Sequence, residues 1–187
     1  DNVRLFNETK ESLERQIATA EILKVIAASP SDVQPVFDAI AASSKRLLGG
    51  HSTTVFRIID GILHLVAYTA TNPEADATLA GMFPRPLADF PPFAMVSDGQ
   101  MARVEDTETA AGVPEMLRDL ARQRGYRAML FTPLVREAAV IGTIAVTRVA
   151  PGPWEEHHAQ LLRTFADQAV IAIENVRLFN ETKEALE

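Results

Sequence analysis

The 187-residue sequence contains no cysteine. This absence excludes disulfide bonds, thiolate metal sites and cysteine nucleophiles. It also fits a reducing compartment, and we expect a cytoplasmic protein. Basic residues are few as well: 18 lysines and arginines against 25 aspartates and glutamates give a net charge of −7. Because nucleic-acid binding and electrostatic attachment to membranes both need a basic face, neither partner is expected.

Long apolar runs and catalytic motifs are missing too. No uninterrupted apolar segment approaches the ~18–20 residues that cross a bilayer. The sequence shows no glycine-flanked serine elbow, no phosphate-binding loop of the GxxxxGK type and no Ser-His-Asp arrangement. Without a nucleophile–base pair, we expect no catalytic activity from this chain.

What the chain does have is the same segment at both ends. Residues 1–14 read DNVRLFNETKESLE and residues 174–187 read ENVRLFNETKEALE, which is twelve identities in fourteen positions. We interpret the chain as one period of a tandem array, running from one connector to the next.

Both terminal segments, residues 1–28 and 155–187, lack proline and glycine, which predicts two long helices. Their apolar residues recur at spacings of three, four or seven, with a lysine in one core position of each stripe. One small domain cannot cover helices of this length, so we expect the stripes to pair two copies of the chain. The residues expected in this dimer interface are Val3, Phe6, Leu13, Ile17, Val176, Phe179 and Leu186.

Between these helices the hydrophobic period changes from that of a helix to that of a strand. β-Branched segments on either side of Asp60-Gly61 predict a hairpin over residues 51–69. Further elements are expected as helices over 35–48, 73–81 and 113–124, an edge strand over 100–104, and two strands over 126–135 and 139–149 that meet at Arg136-Glu137. Strands joined by short turns imply an α+β fold with an antiparallel sheet.

We divide the chain into three parts. Residues 1–28 form an N-terminal connector helix, residues 29–157 form the core domain, and residues 158–187 form a helix that packs on the core and then projects as the next connector.

Residues 83–93 contain four prolines and three phenylalanines, a composition that excludes a central strand or a long helix. Two interpretations stay open. The segment is either a lid whose aromatic rings line a pocket on the sheet, or a stiff loop whose rings fill that face and leave no cavity.

Three stretches of the sequence resemble the GAF domain of bacterial sensor proteins. They are GYRAMLFTPL at 125–134, VIGTIAV at 140–146 and LLRTFADQAVIAIEN at 161–175. The last stretch is similar to GAF arrays that feed histidine kinases or nucleotide cyclases. In the stretch at 140–146, Gly142 is expected to let one strand lie close against its neighbour.

The resemblance implies a six-stranded antiparallel sheet with the first, second and last helices on one face. It implies a small-molecule pocket between the other face and the middle segment. The flanking helices would pair in a parallel homodimer and pass a conformational change to an output domain. The pocket candidates are Arg57, Tyr68, Phe83, Phe90, Phe93, Arg103, Asp106, Tyr126 and Thr132. For Asp106, capping of a local turn is the alternative role.

The departures from the family leave the ligand unknown. Bilin-binding and methionine-sulfoxide reductase members use cysteines, and the Asn-Lys-Phe-Asp-Glu motif of cyclic-nucleotide-binding members is missing here. A metal or haem site is not expected, because adjacent helical residues such as His157 and His158 point about 100° apart.

We therefore expect a non-catalytic sensory module, dimeric through its terminal helices, that lies beside other GAF repeats and relays ligand or neighbour state to a C-terminal output domain such as a histidine kinase or a cyclase. The alternative is a ligand-free spacer or dimerisation module in the same array.

Overall fold

The computed structural model describes residues 1–186, which form five α-helices and six β-strands. The helices are α1 (Asn2–Ala28), α2 (Gln34–Leu47), α3 (Pro73–Gly81), α4 (Glu115–Arg124) and α5 (Glu156–Leu186). The strands are β1 (Ser52–Ile59), β2 (Ile62–Tyr68), β3 (Arg85–Pro86), β4 (Ala102–Val104), β5 (Ala128–Arg136) and β6 (Ala139–Arg148). The predicted helices, the hairpin and the later strands are confirmed to within a few residues.

All strands lie in one antiparallel sheet of order β3-β2-β1-β6-β5-β4, which confirms the expected six-stranded α+β architecture. The short strand β3 falls inside the proline-rich segment, where the hydrophobic pattern predicts no strand. It pairs through Arg85 and Pro86 with Leu63 and Ile62 at the edge of the sheet. An edge position suits proline, which has no backbone N–H to donate.

Two tight turns close the hairpins of the sheet. Asp60 and Gly61 adopt positive φ angles of 52° and 74°, as the sequence predicts for a two-residue turn. In the β5–β6 hairpin the residues with positive φ are Glu137 and Ala138, at 49° and 67°. The predicted turn at Arg136-Glu137 is therefore one residue early, because Arg136 still pairs with Ala139 in the ladder.

Gly142 permits the close approach of β6 to β1 at the centre of the sheet. A Cβ atom at this position would lie 2.4 Å from the carbonyl oxygen of Phe56 and 2.8 Å from a methyl group of Leu134. Such contacts are far below van der Waals separation, so only glycine fits without movement of the strand. The sequence expectation for this glycine is confirmed.

Helices α1, α2 and α5 cover one face of the sheet and bury the main core against it. The C-terminal half of α1 contributes Ala18, Ile22 and Ile26, which recur every fourth residue and form one buried stripe. Helix α5 buries one face, between Ala159 and Ile173, in the same core. Residues near 17–28 and 158–172 therefore pack on their own domain.

Helices α1 and α5 run side by side in the same direction. The Glu11 carboxylate lies 3.8 Å from His157 near the start of α5, and the Gln168 side chain donates to the Thr19 carbonyl at 3.1 Å. The first ten residues of the chain therefore extend past the start of α5, while the last turns of α5 extend past the end of α1. The two copies of the repeated segment leave the domain at opposite ends. None of the helices in residues 1–186 has the length and apolarity needed to cross a membrane.

The opposite face of the sheet is covered by α3, α4 and the segment between β3 and β4. This segment consists of two short 3₁₀ turns, Leu87–Asp89 and Pro91–Met95, rather than a longer helix. Together these elements bury two smaller apolar clusters against the sheet.

Candidate functional site

A small cavity lies between the sheet and the layer formed by α3, α4 and the proline-rich segment. The space open to the centre of a water molecule is about 40 Å³. One water needs roughly 10–15 Å³ of such space, so the cavity suits a small ligand and not a large cofactor. It is lined by Ser52, Thr54, Phe56, Leu79, Phe90, Pro92, Leu117, Leu120, Arg124, Tyr126, Met129, Phe131, Ala145 and Thr147.

Strand alternation decides which residues reach the cavity. Along β5, Met129 and Phe131 point towards the cavity, while Leu130 and Leu134 point into the helical core on the other face. Strands β5 and β6 therefore border the cavity on one side and contact α5 on the other, whereas β1 packs on α2.

Three phenylalanines fill the space beside the cavity. The ring of Phe56 lies 4.8 Å from that of Phe83 and 6.0 Å from that of Phe90, and the rings of Phe83 and Phe90 lie 5.6 Å apart. Edge-on and tilted contacts at these distances stabilise aromatic clusters. The proline-rich segment thus does part of what each sequence interpretation describes: its rings fill one region and border an open cavity in the next.

A buried ion pair closes one side of the cavity. Arg124 is the last residue of α4, and Gly125 ends the helix with a left-handed φ of 80°. The Arg124 side chain is 3% exposed, and its Nη1 donates to Asp76 Oδ1 of α3 at 3.1 Å. The Thr71 amide and hydroxyl donate to the same carboxylate at 2.9 and 2.8 Å, so both of its oxygens have partners. The second terminal nitrogen of Arg124, Nη2, is buried without a hydrogen-bond partner.

The ionised state of Asp76 is favoured in this arrangement. Burial alone would raise the pKa of Asp76, but the Thr71 hydrogen bonds and the Arg124 charge outweigh it. The pKa therefore lies below its ordinary value of 3.8. Tyr126 shows the opposite effect, since burial raises the pKa of its phenol and keeps it neutral.

This fold agrees with a known domain family. The family model of the GAF domain matches residues 32–173. The chain belongs to the GAF family. GAF domains are sensory and regulatory modules, generally without catalytic activity of their own. No curated protein matches the chain.

Solved GAF structures share the fold at low sequence identity. A domain assigned to a two-component sensor histidine kinase of Sinorhizobium meliloti 1021 is 18% identical, with a TM-score of 0.66 over 81% of this chain and 97% of that one. The GAF domain of an Acinetobacter phosphoenolpyruvate-protein phosphotransferase is 15% identical, with a TM-score of 0.68 over 89% and 97%. A GAF domain/HD domain protein of Geobacter sulfurreducens is 18% identical, with a TM-score of 0.67 over 81% and 97%.

The predicted pocket residues of this GAF domain fall into separate places. Phe90 and Tyr126 line the cavity, and Phe83 and Phe93 pack in the apolar clusters beside it. Tyr68 is exposed at the end of β2.

Arg57 and Thr132 lie on the face of the sheet opposite the cavity. Arg57 lies beside Val33, Ile173 and Val176 in a groove under the helices. Thr132 alternates with the core residues of β5 and is buried on the helical side. Both were pocket candidates because they are polar residues on predicted strands. The register of each strand decides on which face of the sheet a residue lies.

Arg103 and Asp106 are engaged in surface ion pairs away from the cavity. Arg103 Nη1 lies 2.8 Å from Glu156, and Asp106 lies 2.6 Å from Arg127. Asp106 also accepts a hydrogen bond from the Glu108 amide at 3.0 Å, which is the turn-capping role considered as the alternative. Hydrogen bonds from Arg127 lower the pKa of the Asp106 carboxyl.

The sequence reasoning missed Arg124 and Asp76. An arginine before a helix-ending glycine and an aspartate in the first turns of a helix are both common surface features. Only the docking of α3 against α4 buries the pair beside the cavity.

His157 and His158 lie at the start of α5, and their rings do not diverge as expected. The ring centroids are 4.0 Å apart, because the His157 ring contacts Glu155 at 3.2 Å while Arg148 donates to Nδ1 of His158 at 2.9 Å. Ligand atoms of Glu155, His157 and His158 lie within 4.8 Å of one another. The Arg148 guanidinium already lies at Nδ1 of His158, and its positive charge opposes the binding of a metal cation at that nitrogen.

The half-buried His158 is expected to make the stability of the domain depend on pH. Burial, His157 and Arg148 lower the pKa of His158 from 6.5 to about 4, while Glu155 acts in the opposite sense. Glu11 faces His157 from α1. Between pH 6.5 and 4 the unfolded chain binds a proton that the folded chain does not, so stability falls as the pH falls through this window.

We expect the free energy of unfolding to be about 1–2 kcal/mol lower at pH 5 than at pH 7.5 through His158. His158→Gln should remove most of this difference, because a glutamine carbonyl still accepts from Arg148 but does not titrate. Urea unfolding at both pH values measures it. His64→Gln on β2 is the control, and equal pH dependence in the His158→Gln and His64→Gln variants would contradict the assignment.

The terminal helices expose most of the apolar residues predicted for the dimer interface. Val3, Phe6, Leu13, Ile17, Phe179 and Leu186 are all at least 43% exposed. Val176 differs, since it is half-buried in the groove beside Arg57. Leu5, Leu178 and Ile171 are further exposed apolar residues of these helices that the heptad pattern did not single out.

Proposed function

We propose that this GAF domain is a non-catalytic sensory module of a cytoplasmic signalling protein, which binds a small molecule in its cavity and relays that state to an output domain such as a histidine kinase. The observation that carries the proposal is the placement of the cavity and the terminal helices on opposite faces of the same strands. A ligand and a helix therefore contact one structural element from its two sides.

Strand β5 is the most direct link between them. Met129 and Phe131 border the cavity, while the neighbouring Leu130 and Leu134 pack in the core that contains α5. A displacement of β5 by a few tenths of an ångström on the cavity side must be accommodated by α5, because close-packed cores transmit strain.

The helices are arranged to carry a change through the domain. Because α1 and α5 are parallel and leave at opposite ends, a twist or shift arriving at α1 passes directly to α5. The repeated segment makes both connectors chemically alike, so modules placed end to end would use the same helical joint. This supports adjacent GAF repeats as the neighbours of the domain.

A second copy of the chain is the partner that fits the exposed stripes. Burying a large apolar side chain contributes about 1.5–3 kcal/mol, and a parallel dimer would bury stripes from both helices of each subunit. The lysines Lys10 and Lys183 are exposed within these segments and keep such an interface only moderately stable. Moderate stability suits helices that change twist or register on signalling.

Replacing Phe6 and Phe179 together by serine is expected to convert a dimer into a monomer. The two changes remove four large apolar side chains from the dimer, and we expect the dissociation constant to rise at least 100-fold. Size-exclusion chromatography with light scattering at about 20–50 μM protein measures the mass. Ile59→Ser and Val149→Ser, which alter exposed apolar residues of the sheet region, should leave the dimer intact. A monomeric unmodified chain would refute this part of the proposal.

The second candidate function is a ligand-free spacer, which the packing of Phe56, Phe83 and Phe90 favours. Native mass spectrometry separates the two. A reproducible bound mass, or a thermal shift with a small metabolite, supports the sensor. A clean apo mass with no thermal shift across a metabolite panel supports the spacer.

A further inference from the structure

Arg124 is the one charged residue among those that line the cavity. Its side chain is almost completely buried, and Nη2 has no hydrogen-bond partner within the described residues. Nη1 is already directed at Asp76 and, at 3.4 Å, at the Ala75 carbonyl. The Asp76 oxygens are in turn occupied by Thr71 and Nη1. Nη2 therefore presents two N–H groups for which the described residues supply no acceptor.

A buried N–H group without an acceptor is unfavourable, and more so when it belongs to a cation. No other polar group of the lining accepts a hydrogen bond from Nη2. Two of these groups, Ser52 Oγ and Thr147 Oγ1, are 2.6 Å apart and bond to each other. The missing partner is an acceptor, and a charged oxygen acceptor gives the strongest hydrogen bond to a guanidinium.

The rest of the cavity wall selects against a fully polar anion. Phe90, Leu117, Leu120, Met129 and Phe131 surround the space with carbon atoms. An inorganic phosphate would lose hydration on its remaining oxygens without compensation. A volume of about 40 Å³ also limits the ligand to a few non-hydrogen atoms.

We propose that the cavity binds a small monocarboxylate, with its carboxylate at Arg124 Nη2 and its short carbon chain against the apolar wall. This assignment rests on the proposed sensory function, which it deepens by naming the ligand class. Asp76 acts as a positioning residue, because its bond to Nη1 fixes the guanidinium plane and leaves Nη2 directed at the ligand.

Titration of the unmodified protein with propionate and with propionamide tests the charge requirement at nearly equal size. Methionines carrying ¹³C-methyl groups report the location, since Met129 lines the cavity and Met101 belongs to the core of the other face. We expect propionate to shift the Met129 signal and to bind at least tenfold more tightly than propionamide, with no Met101 response. We expect a dissociation constant on the order of 1 mM for so small a ligand. The assignment would be overturned by equal affinity for both compounds, by binding of phosphate alone, or by no binding of propionate at concentrations up to about 50 times this dissociation constant.

Variants test the role of Arg124 itself. The pair Arg124→Gln with Asp76→Asn removes both buried charges together and leaves amide groups that can bond to each other. We expect propionate affinity in this variant to fall to that of propionamide. Arg122→Gln is the matched control, because it removes the same charge from an exposed position on the same helix, where Arg122 pairs with Glu108. Unchanged propionate binding in the double variant would refute the role of Arg124.

The two proposals fail in different ways. A monomeric chain that still binds propionate at Met129 would refute the relay through a helical dimer and leave the ligand class standing. A dimer that binds a neutral compound in the cavity would refute the carboxylate assignment and leave the sensory function standing.

Discussion

Asp76→Ala is expected to lower the free energy of unfolding by about 3–4 kcal/mol at pH 7, because it leaves a buried arginine without its counter-charge. The Asp76 side chain is 10% exposed and that of Arg124 only 3%, so the guanidinium has little contact with bulk water. The change also removes the acceptor of the Thr71 amide and hydroxyl. Urea unfolding followed by circular dichroism measures the loss.

The pH dependence of this loss follows from the direction of the pKa shift. The folded-state pKa of Asp76 lies below 3.8, so its ionised form contributes stability above that pH and loses it as the pH falls further. The stabilities of the unmodified protein and of Asp76→Ala should therefore converge as the pH falls below 3.8 and through the folded-state pKa of Asp76. A difference that stayed constant with pH would show that the carboxylate charge is not responsible.

A matched pair of changes separates the ion pair from local packing. Asp76→Asn with Arg124→Gln removes both charges and is expected to cost less than Asp76→Ala alone, because no uncompensated charge remains. Asp119→Ala, on the exposed side of α4 beside Arg122, serves as the surface control and should change stability by less than about 0.5 kcal/mol. A double variant less stable than Asp76→Ala would contradict the explanation.

Gly142→Ala is expected to destabilise the domain by about 3 kcal/mol, through overpacking at the centre of the sheet. The new Cβ would lie 2.4 Å from the Phe56 carbonyl oxygen, which belongs to the neighbouring strand and cannot rotate away. To relieve the contact, β6 must separate from β1 and break ladder hydrogen bonds around Arg57, which pairs with Gly142.

The control for this change is Gly81→Ala. Gly81 is the last residue of α3, and a Cβ there meets nothing within 4 Å. Alanine favours a helix over glycine by up to about 1 kcal/mol, so this variant should be neutral or slightly more stable. Thermal unfolding of the two variants side by side measures the contrast. A similar melting temperature for both would refute the steric argument.

Local sequence patterns predicted the elements of this fold because each element has its own period and its own end signals. Each of these signals determines the conformation of the residues next to it. Examples are the Asp60-Gly61 turn, the glycine that ends α4 and the proline-free terminal segments. Strand β3 escaped the same reasoning, because two residues in a proline-rich segment have no period and become a strand only by pairing with β2.

The candidate site was predicted less well. The structure places the aromatic residues of the proline-rich segment in or beside the cavity, since large apolar groups must be buried somewhere on the sheet. The polar candidates do not lie there, because the face that a strand residue occupies depends on register. Arg57 and Thr132 lie on the helical face, whereas Arg124, the last residue of α4, borders the cavity.

The sequence by itself determined the class of the protein: its elements, its GAF relationship, the absence of cysteine chemistry and the repeated connector at both ends. Those are properties of composition and of short spacings, which need no partner in space. Tertiary structure alone decided where charge is buried, how large the cavity is, and that α1 and α5 run in the same direction so the two connectors leave at opposite ends. Each of these depends on which surfaces meet. No local sequence pattern predicts contacts between residues as far apart in the chain as 76 and 124 or 19 and 168.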